Sequence, residues 1–200
     1  MFSGIVQAIG TIEKVEPLEA GVRLTIEAGT LQLADTKVGD SIAMNGACMT
    51  VTSIAGNRFS VDVSRESLNV TAGLGAPGKV NLEKAMALGD RIDGHLVTGH
   101  VDGIGEVTAF EQLGESTRLE VRAPADLGRY IARKGSITVD GVSLTVNRVA
   151  DEAAGTTFEV NLIPHTLEVT TLSNLAAGSR LNLEIDLIAR YIERVLSAPK

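Results

Sequence analysis

Two hundred residues, 44% of them apolar, are enough for one or two independent cores. A net charge of −7 with no run of Lys and Arg argues against a polyanionic partner. With 3% aromatics and no Trp, little material remains for stacking bases, so nucleic acid is not expected. The opening Met-Phe-Ser-Gly has no basic n-region and no long apolar stretch follows, which predicts neither signal peptide nor membrane span; the single cysteine, Cys48, fits a reducing, cytoplasmic setting.

In chain order, the pattern is mostly short strands. Ile5, Val6 and Ile9 lead into Thr11–Val15. Val22-Arg23-Leu24-Thr25-Ile26 alternates apolar and polar, Ser41 to Ile54 and Arg58 to Val63 continue the pattern, and Val80–Glu83 closes the unit. Short helices are expected at Glu66–Thr71 and Pro124–Ala132, and a linker at Leu88–Gly94. Ser41–Thr52 then returns as Ser136–Asn147, offset by 95 residues, with five identities in twelve positions. Gly4–Ile12 lies over Gly99–Val107 at the same offset, and the offset grows through extra polar residues around Asp151–Gly155. Gly46 after Asn45 and Gly141 after Asp140 mark matched tight hairpins.

The duplication predicts two units of roughly 90 residues, each with about six short antiparallel strands, and closure into a small barrel leaves no bare edge. The expected architecture is all-β: two tandem six-stranded barrels, residues 1–93 and 94–186, followed by a helix over 187–200. In that helix Leu187, Ile188, Tyr191, Ile192, Val195 and Leu196 form an apolar stripe opposite Arg190, Glu193 and Arg194. Such a helix, appended after two finished barrels, reads as an assembly element.

The chemistry-bearing residues are few. His95 and His100 are five apart, and a zinc site from them with His165 or Cys48 has no supporting spacing. His100 stands where the first copy has Ile5, so the second copy gains a polar function there, or merely a strand-end histidine. Ser143 lacks the G-x-S-x-G frame of a hydrolase elbow. Cys48 and Ser143 occupy the same place in the two copies; both read equally as small strand residues. Gly103-Ile104-Gly105 lacks the third glycine of a dinucleotide fingerprint and reads as a strand bulge. Asp186 reads as the helix N-cap or as a catalytic group.

Met-Phe-Ser-Gly-Ile-Val at the N-terminus, Asn-Gly-Ala-Cys-Met-Thr-Val at 45–51, Gly-His-Leu-Val-Thr-Gly-His-Val-Asp-Gly at 94–103, Asp-Gly-Val-Ser-Leu-Thr-Val at 140–146, Asn-Leu-Ile-Pro-His-Thr-Leu at 161–167 and Asn-Leu-Glu-Ile-Asp at 182–186 together resemble the riboflavin synthase alpha-chain family of lumazine-binding repeats. The resemblance implies Greek-key barrels that each bind one 6,7-dimethyl-8-ribityllumazine, so that two meet in each active site. A four-carbon unit passes from one to the other, giving riboflavin and 5-amino-6-(D-ribitylamino)uracil without cofactor or metal. It further implies a homotrimer, with sites shared between neighbouring subunits, and leaves room for association with lumazine synthase. Carried over by residue, it implies a first pocket of Gly4, Ile5, Val6, Cys48, Met49, Thr50 and Asp62, Val63, Ser64, Arg65, Glu66, Ser67. The second would comprise Gly99, His100, Val101, Lys134, Ser143, Leu144, Thr145 and Asn161, Leu162, Ile163, Pro164, His165, Thr166. Cys48, His100, Ser143 and Asp186 are the implied catalytic residues, with Phe2, Ser41, Lys134 and Asp140 in support. Other classes sharing barrel folds are a non-catalytic lumazine or flavin carrier, a flavin reductase domain, and a nucleic-acid-binding barrel.

Overall fold

The computed structural model describes residues 1–152 and 155–198; Ala153 and Ala154 of the polar insertion, and residues 199–200 of the helical segment, lie outside the described residues. The first repeat folds into six antiparallel strands: β1 (Ala8–Leu18), β2 (Gly21–Glu27), β3 (Ser41–Met44), β4 (Ala47–Ala55), β5 (Arg58–Ser64) and β6 (Gly78–Lys84). Their order β1-β2-β5-β4-β3-β6 closes on itself because β6 pairs back with β1. The alternation read in the sequence is the cause: Leu24 and Ile26 of β2, Val61 of β5 and Leu82 of β6 point inward and are wholly buried, while their neighbours face out. Helix α1 (Arg65–Val70) follows β5 and is capped by the Ser64 side chain, which accepts from the Ser67 N–H.

The second repeat supplies β7 (Gly103–Leu113), β8 (Ser116–Ala123), β9 (Ser136–Val139), β10 (Val142–Thr145), β11 (Arg148–Glu152), β12 (Gly155–Leu162) and β13 (Arg180–Ile185). Seven segments stand here, in the order β10-β9-β13-β7-β8-β12-β11, where six strands are expected. The extra one is a broken wall: β10 and β11, at opposite ends of the sheet, are two halves of the strand that corresponds to β4. The break at Val146 and Asn147 is held by backbone bonds, Val146 N–H to Gly135 O (3.0 Å) and Asn147 N–H to Glu159 O (2.7 Å). In the first repeat the same spot, Val51, bonds Asp40 O (2.9 Å) and carries only a register shift.

Two sequence expectations need correction. Gly103, Ile104 and Gly105 pair in regular register with β13, so they form no bulge; the shift in β7 falls between Val107 and Ala109. Gly105 is required for packing instead, since a Cβ there would lie 2.7 Å from the Val121 side chain and 2.9 Å from that of Leu183. The periodicity also missed α2 (Pro164–Val169), the counterpart of α1, while the expected helix after Pro124 is a 3₁₀ turn over Ala125–Tyr130.

The two barrels meet across the paired hairpins. Asn45 and Gly46 (φ 44° and 82°) mirror Asp140 and Gly141 (φ 45° and 82°), the left-handed pair that a type I′ turn needs. The two glycines face one another: a Cβ on either would lie 2.9 Å from the other's backbone nitrogen. Around them the bonds are reciprocal. Asn81 donates to Asp140 O and Asn182 to Asn45 O, both at 2.9 Å; the Asn81 N–H bonds Asn45 Oδ1 and the Asn182 N–H bonds Asp140 Oδ1, both at 2.8 Å.

Burial pushes the Asp140 carboxyl up to about 7 from 3.8, against the Asn182 N–H, which favours the charged form. The folded state therefore holds its proton more tightly than the unfolded chain. Stability is greatest when Asp140 is protonated and falls as pH rises from about 4 to about 7. Asn45 occupies the mirror position without a charge. Asp140→Asn should accordingly stabilise the protein by something on the order of 2–4 kcal/mol at pH 8, with the gain shrinking toward pH 4. Denaturant unfolding at both pH values measures this; an equal effect at the two would contradict it.

Helix α3 (Leu187–Ser197) is docked by its polar side. Both Asp102 oxygens accept from Arg190 Nη2 at 2.8 Å, and Glu193 accepts from Arg129 (3.0 Å) and from the Tyr130 hydroxyl (3.2 Å). The apolar stripe consequently faces outward, with Ile188, Tyr191, Ile192, Val195 and Leu196 each 56–80% exposed. No helix among the described residues is long and apolar enough to cross a membrane.

Candidate active site

Short segments ahead of each barrel cross over to the other. Gly4 O accepts from the Ser143 N–H at 2.8 Å, and Gly99 O accepts from the Cys48 N–H at 2.8 Å. Val6 packs against the second core and Val101 against the first. Where the segments cross, they pair with each other: Phe2 N–H bonds Val97 O (2.8 Å) and Val97 N–H bonds Phe2 O (3.0 Å). Phe2 and Val97, both buried, form a small cluster with Ala43, against which Cys48 packs. The grouping read from the sequence is thus exchanged: Gly99, His100 and Val101 stand with Cys48, and Gly4, Ile5 and Val6 with Ser143. The polar gain at His100 is delivered to the first barrel.

The first cleft, about 190 Å³, is lined by Ala47, Cys48, Met49, Ser67, Val70, Thr71, Gly99, His100 and Val101. Strand pleating puts Cys48 and Thr50 on the outer face of β4, with Cys48 at the cleft, and buries Met49 beneath. Crowding is tight: a Cβ on Gly99 (φ 80°) would approach the Cys48 Cβ to 2.6 Å, so only glycine lets this segment lie over the cysteine. Gly4 (φ 76°) does the same over Ser143, at 2.7 Å.

Around Ser143, the counterpart of Cys48, lies a contact the sequence reading missed. His95 Nδ1 lies 2.7 Å from Ser143 Oγ, and its Nε2 lies 3.2 Å from Thr138 Oγ1. Burial lowers the His95 pKa, while the nearby Asp186 carboxylate pulls it up. A neutral imidazole with a serine hydroxyl on one nitrogen can accept that proton, or take one relayed through it. A serine, a histidine and an acid do therefore gather here, on a strand and without an elbow. In the sequence His95 stands within the 94–103 motif and as a candidate metal ligand, with nothing that joins it to Ser143. Asp186 caps α3, accepting from the Ile188 N–H at 2.8 Å, as the N-cap reading expects, and its charge also acts on His95.

The other implied residues are placed as follows. Lys134 (φ 68°) is exposed and reaches Asn147 Oδ1 at 3.2 Å. Asp62 is paired with Arg23 at 2.7 Å, Val63 is buried, and Ser64, Arg65 and Glu66 open α1. Leu144 and Leu162 are buried in the second core; Thr145, Asn161, Ile163, Pro164 and His165 are exposed, and Thr166 is half-buried in α2. Ser41 pairs with Thr50 and is half-buried. Phe2 and Asp140 lie in the seam, where they hold the barrels in register.

Two barrels of one design, each crossed by a segment from the other half, define a tandem-repeat β-barrel protein. The lumazine binding domain family matches residues 3–85 and again 98–186. The riboflavin synthase of Photobacterium phosphoreum is 42% identical, with all of this chain and 91% of that one covered. That of Mycobacterium bovis is 48% identical, with 98% of each covered. Among solved structures, LumP complexed with riboflavin superposes with a TM-score of 0.82 at 27% identity, covering 92% of this chain and 99% of LumP. LumP with 6,7-dimethyl-8-(1′-D-ribityl)lumazine gives 0.80 at 26%. The chain belongs to the lumazine-binding family.

Proposed function

We propose that the protein is a riboflavin synthase, a transferase that moves a four-carbon unit between two 6,7-dimethyl-8-ribityllumazine molecules to give riboflavin and 5-amino-6-(D-ribitylamino)uracil. The observation that carries this reading is the pair of matched crossings in one chain, Gly99 over Cys48 and Gly4 over Ser143, which suits a reaction whose two partners are the same molecule. Holding both in reacting geometry supplies much of the rate. Proton transfer is the remaining need; the His95–Ser143 contact, with Asp186 acting on His95, supports a proton-moving role there, and Cys48 and His100 line the cleft at the first barrel. All atoms of both products come from the two lumazines, so no oxidant or reductant is consumed.

The protein acts in the cytoplasm as a homotrimer gathered by the outward stripe of α3, with the first cleft of one subunit facing the second cleft of its neighbour. Incubating it with the lumazine alone and following riboflavin fluorescence tests the activity. The alternative, a non-catalytic lumazine or flavin carrier, is favoured by the LumP likeness but at lower identity, and predicts retained ligand without turnover.

Because both repeats carry the cleft segments, calorimetric titration with a non-reacting lumazine analogue should give two molecules per chain. One per chain, with a clean saturable fit, would mean that one repeat has lost its site.

A further inference from the structure

The crossing segments are each held by a single buried carboxylate from the barrel they leave. Glu83 on β6 accepts the Ser3 N–H (2.7 Å) and hydroxyl (2.8 Å) on one oxygen, and the Gly4 N–H (3.0 Å) on the other. Glu184 on β13 does the same for the second segment, accepting the Thr98 N–H (2.6 Å), the Thr98 hydroxyl (2.7 Å) and the Gly99 N–H (2.9 Å). Each glutamate is 3% exposed, and neither is within salt-bridge reach of a cation among the described residues; three donors replace one. Burial raises both pKa values while those donors hold the charged form. An unpaired charge this buried is costly to retain unless its bonds have a use.

We propose that Glu83 and Glu184 are positioning residues that act crosswise. Glu83, in the first barrel, sets Gly4 over Ser143 of the second, and Glu184, in the second barrel, sets Gly99 over Cys48 of the first. The chain of contacts is direct. Glu83 fixes the Gly4 peptide through its N–H, and the Gly4 carbonyl then bonds the Ser143 N–H at 2.8 Å; Glu184, Gly99 and Cys48 repeat this with the same 2.8 Å closing bond. Glu184 does not line the cleft of about 190 Å³ at Cys48, whereas Glu83 lines, with Ser3 and Ile5, a separate open cleft of about 450 Å³ that does not include Ser143. Their action is to place the segment that crosses each site, and through it Ile5 and His100, the residues next to the held glycines. The arrangement makes each site depend on both barrels, so neither repeat can complete a cleft alone. As a statement about substrate sites this rests on the function proposed above; as a statement about strand placement it stands on the geometry.

Glutamine in place of either glutamate keeps the shape but sets an NH₂ against one backbone N–H, leaving a donor facing a donor. Cys48 is the only cysteine, so its thiol reports on the first cleft. The rate of iodoacetamide labelling of Cys48 should rise roughly tenfold in Glu184→Gln, as expected for loss of a charge-assisted bond, and by less than about twofold in Glu83→Gln. In a protein carrying Cys48→Ser and Ser143→Cys, which moves the thiol under Gly4, the ranking should reverse: Glu83→Gln speeds labelling and Glu184→Gln does not. If the glutamine variants do not fold, Ser3→Ala and Thr98→Val each remove one of the three donors and should give the same crosswise ranking on a smaller scale. Labelling that rises in the glutamate's own barrel, in both clefts equally, or in neither would overturn the proposal. Labelling uses neither substrate nor turnover, so this result and the riboflavin assay can fail independently.

Discussion

Ser143→Ala, His95→Gln and Asp186→Asn should each lower kcat by roughly a hundredfold or more while leaving the fold intact, as removal of a positioned proton-transfer group does. Purely structural roles predict otherwise. Asn caps a helix about as well as Asp, so α3 should survive Asp186→Asn, and loss of one strand hydroxyl typically costs about 1 kcal/mol. The pH profile separates the roles further. His95 must be neutral to accept a proton, and burial lowers its pKa, so activity should persist below the ordinary imidazole range and fail only at lower pH. Removing the Asp186 charge removes the influence that raises that pKa, so the acid limb of the Asp186→Asn profile should move to still lower pH. An unmoved limb would take His95 out of the proton path. Sites shared between subunits add one more expectation. An inactive Cys48→Ala protein mixed with inactive Asp186→Asn under subunit exchange should regain activity, through sites that pair an intact first cleft from one parent with an intact second cleft from the other. Failure to complement, with exchange confirmed by mass spectrometry, would place the whole site in one subunit.

Deletion of residues 187–200 should leave smaller species by light scattering and nearly abolish turnover. The reason lies in which way the helix faces. Arg190 and Glu193 tie its polar side to Asp102, Arg129 and Tyr130, so the stripe of Ile188, Tyr191, Ile192, Val195 and Leu196 is left to solvent in the single chain. Burying a large apolar side chain is worth roughly 1.5–3 kcal/mol, so five of them per subunit form a sufficient assembly surface. The paired substitution Ile192→Glu and Val195→Glu keeps the polar anchors and should dissociate the assembly in the same way. If either variant keeps its size, the helix serves as a lid and not as the contact between subunits.

The repeat, the first barrel's strands, the Asn45-Gly46 and Asp140-Gly141 hairpins and the final helix were legible in the sequence, because each depends on local spacing: period two in strands, period 3.6 in the helix, and glycine where φ is positive; the break of the second copy into β10 and β11 was not. Equivalence of Cys48 with Ser143, and of Gly4 with Gly99, was legible for the same reason. What the repeat could not say is which copy each segment serves. A strand roofing its own barrel and one roofing its twin make the same bonds to equivalent residues, so the pattern is blind to the choice. Only the tertiary path of the chain, with Phe2 crossing Val97 and two glutamates anchoring the crossing, decides it. The His95–Ser143 contact was hidden likewise, since 48 residues separate them and no spacing rule joins a segment before one strand to the face of another. The side on which α3 docks was also left open. Its stripe was plain, but whether such a stripe turns inward or outward depends on Asp102, Arg129 and Tyr130, residues that come beside the helix only once the second barrel has closed.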